Sequence, residues 1–263
     1  FMETKPITLT TDFGYKDPFV GIMKGVILGI NPNARIVDLS HGIAPHDIRG
    51  AALALKHSAP FFPPGTIHVA VVDPGVGTQR RAILIESEGG FFIGPDNGVL
   101  SFAVRDKAAA NIVELTNESY HLKPKSATFH GRDVFAPVAA HLSVGVAVHN
   151  LGSKLENYTR LDWPEAMKTD DGIQGEIIYI DNFGNLITNV SDRDLKSFRR
   201  EKLAVSLADV TIHGLASNYA GAEKKDYTAL INSWGLLEIS CFNGRAHLRS
   251  GADIGDPVHI RAA

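Results

Sequence analysis

The sequence predicts an α/β protein in two parts: an N-terminal α/β domain with a mostly parallel sheet at residues 1–165, and a smaller C-terminal β-barrel domain at residues 173–263. Strand-like and helix-like segments alternate through about the first 150 residues, as in sheets flanked by helices. A polar stretch containing proline interrupts this alternation. Short apolar strands between Gly and Asn turns follow it, which is typical of a small barrel.

Hydrophobic periodicity defines the elements of the first part. The segment from Pro18 to Ile30 carries apolar residues at helical spacing, and Asn31-Pro32 ends it. A second helix is predicted from Asp47 towards Ser58. The predicted strands are Ile7 to Thr11, Arg35 to Leu39, Ile67 to Val72 and Arg81 to Ile85.

The second part begins after a predicted linker, formed by Trp163-Pro164 and the polar stretch Lys168 to Gly172. Six strands are predicted after it: Glu176 to Ile180, Leu186 to Val190, Leu203 to Leu207, Tyr227 to Ile231, Leu236 to Ser240 and Pro257 to Ile260.

Composition excludes several classes of function. Hydrophobic residues make up 44% of the 263 residues and the net charge is -3, so we expect no nucleic-acid partner. The chain has one cysteine, which rules out an intrachain disulfide and a thiolate metal cluster. No apolar run reaches the ~20 residues of a membrane span, and no signal peptide is recognisable, so we expect a cytoplasmic protein without a membrane partner.

Two carboxylates stand where a ligand site is expected. Asp12 and Asp73 each follow a predicted strand, and ligands of open α/β sheets bind at the carboxyl ends of strands. By residue type alone, Asp73 is better explained as an Asx turn, His130 as a structural histidine, and Asp181 to Asn185 as a hairpin turn. The case for a site depends on these segments occurring together.

Two segments resemble motifs of other enzyme families but lack the sequence context that those motifs require. Asp12-Phe13-Gly14 matches the magnesium motif of kinases, but only 11 residues precede it, and the His130 to Asp133 segment follows it in the wrong order. Asp73 to Thr78 resembles the glycine loop of a methyltransferase. That loop should follow the first strand and open a helix, whereas here it follows the third strand and precedes another.

Taken together, five ordered segments resemble the S-adenosyl-L-methionine hydroxide adenosyltransferase family, which is related to fluorinase and chlorinase. The resemblance implies an N-terminal α/β domain and a C-terminal β-barrel. It also implies a homotrimer with active sites between one subunit's N-terminal domain and its neighbour's C-terminal domain. The segments are Thr10 to Gly14, Val71 to Thr78, Gly94 to Gly98, Phe129 to Asp133 and Asp181 to Leu186.

The resemblance assigns substrate-binding residues. Asp12 matches the carboxylate that holds the ribose diol, since two acceptor oxygens suit two vicinal hydroxyls. Asn185 matches a position that reads the adenine edge, and Tyr219 falls near a stacking position. Asp181 and Ser233 match positions at the amino-acid end of methionine. Asp17 also lies near that end, with Phe19 where the fluorinase carries serine.

The resemblance also implies the reaction. Asp73, Arg80 and His130 match a water-activating triad, in which Arg80 supplies positive charge while His130 and Asp73 orient the water and accept its proton. The halogenating relatives replace the aspartate with tyrosine and carry an insertion before the fourth strand. This chain has Asp73 and a short connection, so water is favoured over halide.

The expected activity is therefore hydrolysis of S-adenosyl-L-methionine to adenosine and L-methionine, with no metal and no cofactor. Two alternatives stay open: a protein that binds S-adenosyl-L-methionine or adenosine without turnover, and, less favoured, a methyltransferase.

Overall fold

The computed structural model describes residues 5–105, 109–219 and 226–263. The chain divides into two compact units, Phe1–Asp162 and Trp163–Ala263, which are described separately below. In the described residues, no helix has the length and apolar character that crossing a membrane requires.

The first unit alternates strands and helices. Its strands are β1 (Ile7–Thr11), β2 (Ile36–Ser40), β3 (Thr66–Val71), β4 (Ala82–Ser87), β5 (Gly90–Pro95), β6 (Ala109–Glu114) and β7 (Ser153–Lys154). Its α-helices are α1 (Phe19–Ile30), α2 (Ile48–Ser58), α3 (Ser101–Val104) and α4 (Ala136–Ser143). A π-helical turn, Gly131–Phe135, leads into α4, and short 3₁₀ segments occur at Ala59–Phe61, Glu118–Tyr120 and Val148–Asn150.

The sheet of the first unit is mixed, with strand order β2-β1-β3-β5-β4-β6-β7. The pairs β1–β2, β1–β3 and β3–β5 are parallel, whereas β4–β5, β4–β6 and β6–β7 are antiparallel. The expectation of a mostly parallel sheet was therefore wrong for half of the pairs. The cause is the turn at Glu88-Gly89, which joins β4 to β5 as a hairpin, so no crossover helix is needed.

Apolar residues cover both faces of the parallel half. Strands β1, β3 and β5 are buried along their whole length, as expected for strands with helices on both sides. One core packs these strands against α1 and α4, and a second core packs the other face against α2 and α3. This leaves the carboxyl ends of β1, β2, β3 and β5 at one edge of the sheet.

The second unit is built from antiparallel strands. They are β8 (Met167–Thr169), β9 (Gly172–Ile180), β10 (Leu186–Ser191), β11 (Leu203–Leu207), β12 (Val210–His213), β13 (Thr228–Ile231), β14 (Leu236–Ser240) and β15 (Pro257–Ala262). A short helix, α5 (Ala246–Ser250), and 3₁₀ segments at Asp194–Ser197 and Arg200–Lys202 complete its described elements.

These strands form a nearly closed, barrel-like sheet in the order β12-β11-β15-β9-β10-β14-β13, with β8 paired to β9. An isolated bridge between Ala216 and Leu230 links the segment after β12 to β13, which brings the two ends of the sheet together. The predicted linker at Lys168 to Gly172 was wrong in part, because these residues form the β8–β9 hairpin. Their exposed, polar character had hidden the strand.

Candidate active site

A cavity of about 300 Å³ opens at the carboxyl edge of the sheet in the first unit. Three of the predicted site residues, Asp12, Asp73 and His130, contribute to its wall. The lining residues in the described part of the chain are Asp12, Phe13, Phe19, Pro45, His46, Val71, Asp73, Val76, Thr128, Phe129, His130 and Gly131.

Asp73, Arg80 and His130 form a continuous chain of contacts. Arg80 Nε donates to both carboxylate oxygens of Asp73, at 2.9 and 3.1 Å, and Arg80 Nη2 donates to Asp73 Oδ2. Arg80 Nη2 also lies 2.8 Å from His130 Nδ1. The side chains of Arg80 and Asp73 are only 11% and 6% exposed, so the ion pair is largely shielded from water. The structure thus brings together the three residues of the predicted triad.

The mixed sheet explains why Asp73 and Arg80 meet. The loop from Val72 to Arg81 leaves the end of β3 and enters β4, which runs back down the sheet. Both ends of the loop therefore stay at the same edge. Gly77 has φ +79° and approaches the segment before His130 so closely that a Cβ would lie 2.3 Å from the Ala127 carbonyl oxygen. Only glycine fits this contact, which fixes the loop against the His130 segment.

His130 is held as a neutral acceptor at Nδ1. An arginine side chain only donates hydrogen bonds, so Nδ1 accepts from Arg80 and the ring proton of the neutral imidazole sits on Nε2. Burial lowers the pKa of His130 below its ordinary value, and the positive charge of Arg80 lowers it further. His130 therefore offers an N–H donor, rather than a free acceptor, to a molecule in the cavity.

Neighbouring polar residues fix the two segments that carry the triad. Asp133, fully buried, accepts hydrogen bonds from the backbone N of Ser126 at 2.7 Å and from Arg132 Nε at 2.6 Å. Asn97 Nδ2 donates to the carbonyl oxygen of Val72 at 2.8 Å, immediately before Asp73. Sequence reasoning quoted the motifs that contain Asp133 and Asn97 but gave these residues no role.

Asp12 lies at the end of β1, partly buried in the cavity wall. Its Oδ2 accepts a hydrogen bond from the backbone N of His46 at 2.9 Å, and His46 adopts a left-handed φ of 68°. This leaves Oδ1 of Asp12 as an acceptor with lone pairs available to a ligand.

Three phenylalanines form an aromatic wall in the same cavity. Phe13, Phe19 and Phe129 contact one another edge to face, with ring centroids 5.3 to 5.9 Å apart. Phe19 remains 42% exposed. The sequence analysis placed Phe19 where the fluorinase carries serine but gave no role to Phe13 or Phe129. It missed the wall because an apolar pattern does not distinguish a cavity wall from a core.

A second cavity, of about 570 Å³, lies in the second unit. Three predicted residues, Asp181, Asn185 and Tyr219, line it together with exposed aromatic rings. Among the described residues, the lining is Asp181, Phe183, Asn185, Tyr219, Ser240, Cys241, Phe242, Asn243 and Gly244.

Asp181 holds the turn that presents Asn185. Its Oδ1 accepts from the backbone N of Phe183 and of Asn185, both at 2.9 Å, and its Oδ2 accepts from Asn185 Nδ2 at 2.9 Å. The turn also requires glycine at Gly184, where φ is +80° and a Cβ would lie 2.7 Å from Arg245 Cβ. Asn185 is 8% exposed, and its Oδ1 is left as the acceptor for a ligand.

Tyr219 is anchored by a buried carboxyl group. Its hydroxyl donates to Glu238 Oε1 at 2.8 Å. Burial and this hydrogen bond raise the pKa of Tyr219 to about 12, and burial also raises the pKa of Glu238. On the same strand, the buried Ser240 hydroxyl has no hydrogen-bond partner among the described residues, and Ser240 lines the cavity.

Arg80 pairs with Asp73 but does not itself belong to the lining of the first cavity, and two further predicted residues also lie outside these cavities. Asp17 is exposed in the turn before α1, and Ser233 is exposed in the turn between β13 and β14. Neither residue belongs to the lining of either cavity described above. Their assignments to the methionine end of a substrate stay predictions.

Comparison with known proteins identifies relatives over the full length. Residues 7–152 match the model of the SAM hydroxide adenosyltransferase N-terminal domain, and residues 175–259 match that of the C-terminal domain. The chain is 37% identical over 263 residues to the (R)-S-adenosyl-L-methionine hydrolase of Salinispora arenicola, covering 99% of each. It is 28% identical over 289 residues to the fluorinase of Actinoplanes sp., covering 97% of this chain and 94% of the fluorinase. A crystal structure of an uncharacterized conserved protein from Thermotoga maritima superimposes with a TM-score of 0.91 at 35% identity, covering 97% of this chain and 99% of that one.

Proposed function

The chain belongs to the SAM hydroxide adenosyltransferase family, and on that premise we propose that it is an enzyme that uses water to split S-adenosyl-L-methionine into adenosine and L-methionine. The observation that carries the proposal is the Asp73–Arg80–His130 chain, whose two ends, Asp73 and His130, line the cavity that contains Asp12. The names of the relatives support a proposal for the configuration of the substrate. In that name, L gives the configuration of the α-carbon of methionine, so R gives the configuration of the sulfonium sulfur. We propose the R epimer at sulfur as the preferred substrate.

We assign different roles on the water to Asp73 and His130. The Nε2–H of His130 donates to the water oxygen, and Asp73 accepts the water's proton while Arg80 stabilises its charge. The water oxygen bonds to C5′, the C5′–S bond breaks, and its electron pair stays on sulfur. Methionine leaves as a neutral thioether, so no acid is required at the leaving group. We assign proton acceptance to Asp73 alone, rather than to Asp73 and His130 together, because Nδ1 of His130 already accepts from Arg80.

The composition of the cavity suits a sulfonium ion. The carboxylate of Asp12 and the aromatic wall of Phe13, Phe19 and Phe129 surround the space beside the triad. The carboxylate attracts the positive charge, and an aromatic face attracts an organic cation by about 0.5–2 kcal/mol. This reaction needs neither a metal nor a cofactor, because the substrate already carries its activated leaving group.

The second cavity suits a nucleobase. Asn185 offers an amide to the adenine edge, and the exposed rings of Phe183, Tyr219 and Phe242 offer stacking surfaces. We assign the amino-acid end of methionine to Asp181, Ser233 and Asp17 by the family resemblance, with Asp181 also closing its own turn.

We further propose a homotrimer in which the first-unit cavity of one subunit and the second-unit cavity of its neighbour bind one substrate. The support is the complementary content of the cavities. The first cavity contains hydrogen-bond acceptors for the ribose and for the attacking water, and the second contains an amide and aromatic rings on which a base can stack.

The chain has a single cysteine, which agrees with a reducing compartment, and we propose that the protein acts in the cytoplasm.

We expect the purified protein to release adenosine and methionine in equal amounts from the R sulfonium of S-adenosyl-L-methionine in buffer containing EDTA. The S epimer should react about tenfold or more slowly, since it exchanges the methyl group and a lone pair at the reacting sulfur. Chromatography with both epimers measures this. S-adenosylhomocysteine as the product would indicate a methyltransferase, and tight binding without turnover would indicate a binding protein. Activity that EDTA abolishes and one divalent ion restores would contradict the metal-free reaction.

We expect activity to return when inactive Asp12→Ala and Asn185→Ala proteins are mixed under conditions of subunit exchange. In a cyclic trimer with shared sites, about a quarter of the sites then carry neither change. Mixing Asp12→Ala with Asp73→Asn is the matched control, because both changes lie in the first unit and every site keeps one of them. A fully active monomer in sedimentation, or equal recovery in the control, would rule out shared sites.

A further inference from the structure

A buried histidine stands directly behind the Asp12 turn. His41 follows the end of β2, which pairs in parallel with β1, and its imidazole is fully buried. Its Nδ1 lies 2.8 Å from the Thr11 hydroxyl oxygen, and its carbonyl oxygen accepts from the backbone N of Gly14 at 2.8 Å. The Thr11 hydroxyl also accepts from the backbone N of Phe13 at 3.2 Å. His41 therefore fixes both sides of the turn that presents Asp12.

The far side of the imidazole is fixed as well. Nε2 of His41 lies 3.0 Å from Asp38 Oδ1, although the approach is oblique for a hydrogen bond. The other oxygen of Asp38 accepts from Lys24 Nζ at 2.7 Å and from the Tyr15 hydroxyl at 3.3 Å. Burial raises the pKa of Asp38, but the contacts with Lys24 and His41 outweigh it, so the net pKa lies below its ordinary value. The carboxylate is thus a charged anchor for the ring.

We propose that His41 is a positioning residue for substrate binding, which acts through the Thr11 hydroxyl and the Gly14 amide to orient the Asp12 carboxylate. The inference rests on the proposed function for its kinetic readout. His41 is absent from the cavity lining, so its effect reaches the substrate only through this turn. Losing it should weaken substrate binding while leaving the triad chemistry intact.

The chain supplies a matched control. His68 on β3 is also buried, and its Nδ1 lies 2.8 Å from the Thr8 hydroxyl oxygen, the same contact on the same strand β1. It stacks on Phe92, with centroids 5.0 Å apart, and belongs to neither cavity lining. Replacing His68 removes the same kind of buried contact without touching the Asp12 turn.

The experiment compares His41→Ala, His41→Asn and His68→Ala by steady-state kinetics with the R sulfonium and by thermal unfolding. For His41→Ala we expect KM to rise about tenfold with kcat within about twofold, because one buried hydrogen bond to the turn is lost. His41→Asn places an amide near the position of Nδ1 and should recover most of this loss. His68→Ala should lower the unfolding temperature without changing KM.

Hydrogen exchange gives a readout that does not depend on turnover. The amides of Phe13 and Gly14 should exchange faster in His41→Ala and in Thr11→Val, which keeps the shape of the side chain but removes its hydroxyl, and not in His68→Ala. An unchanged KM and unchanged exchange in these variants would overturn the inference, as would an equal rise in KM for His68→Ala. A wild-type protein without hydrolase activity would instead refute the proposed function, and the exchange measurement would still decide the role of His41.

Discussion

Replacing His130 by alanine or Asp73 by asparagine should lower kcat by ~10²–10⁴-fold, while the Kd for S-adenosyl-L-methionine changes by no more than about threefold. The reason is the chain of contacts from Asp73 through Arg80 to His130, which faces the cavity but contains no predicted ribose or base ligand. Because the three groups share one network, double changes should cost little more than the more severe single change. Single-turnover kinetics and calorimetric binding measure the two effects separately.

Two adjacent arginines provide a control for this result. Arg80→Lys keeps the charge but loses the planar fork that contacts both partners, so only part of the rate should remain. Arg81 forms a comparable ion pair with Asp96, and Arg81→Lys should leave the chemical rate near the wild-type value.

The pKa of His130 lies below its ordinary value, so this side chain stays neutral at neutral pH. We therefore expect kcat to be constant from neutral pH upwards and to fall only below the pH range in which an ordinary histidine titrates. Wild-type rates in both His130→Ala and Asp73→Asn would exclude the triad.

Asp12→Ala should weaken binding of adenosine by roughly 10²-fold, which corresponds to about 3 kcal/mol for hydrogen bonds from the ribose to a charged acceptor. Asp12 is partly buried, and only its Oδ2 accepts a hydrogen bond within the described part of the chain, so in the variant a bound diol would lose its acceptor on desolvation. Calorimetric titration of adenosine measures the loss.

Ligand truncation tests whether the loss belongs to the ribose contact. Wild-type protein should bind 2′-deoxyadenosine about tenfold more weakly than adenosine, whereas Asp12→Ala should hardly distinguish the two. Discrimination of equal size in both proteins would show that Asp12 does not contact the diol. Hydrogen exchange at Phe13 and Gly14 checks that the turn itself is intact in the variant.

Local patterns predicted most elements but not their directions. Strands β1 and β11 have the expected bounds. Helix α2 begins one residue after its predicted start at Asp47, whose side chain accepts from the backbone N of Gly50 at 2.8 Å and caps the helix. The mixed sheet was missed because alternation of apolar residues carries no information about strand orientation. Strands β8 and β12 were missed because they are short and largely exposed, so they lack the apolar signal of the core strands.

The site could be predicted only through recognition of its motifs. Nothing in the spacing of Asp73 and Arg80 requires their side chains to meet, and the contact depends on β4 returning antiparallel to β5. The same holds for His41, which sequence reasoning did not consider. A buried imidazole between two strand ends is apparent only once the register of β1 and β2 is known.

The loop between β3 and β4 has a consequence for how this chemistry can change. Its ten residues join two strand ends separated by one intervening strand, a gap of about 10 Å, although ten extended residues would reach about 33 Å. The surplus length folds over the sheet edge, and doubling it would cost only about 0.6 kcal/mol in closure entropy. The loop can therefore be replaced without altering the register of the strands that it joins. A replacement loop could carry side chains that suit a different nucleophile.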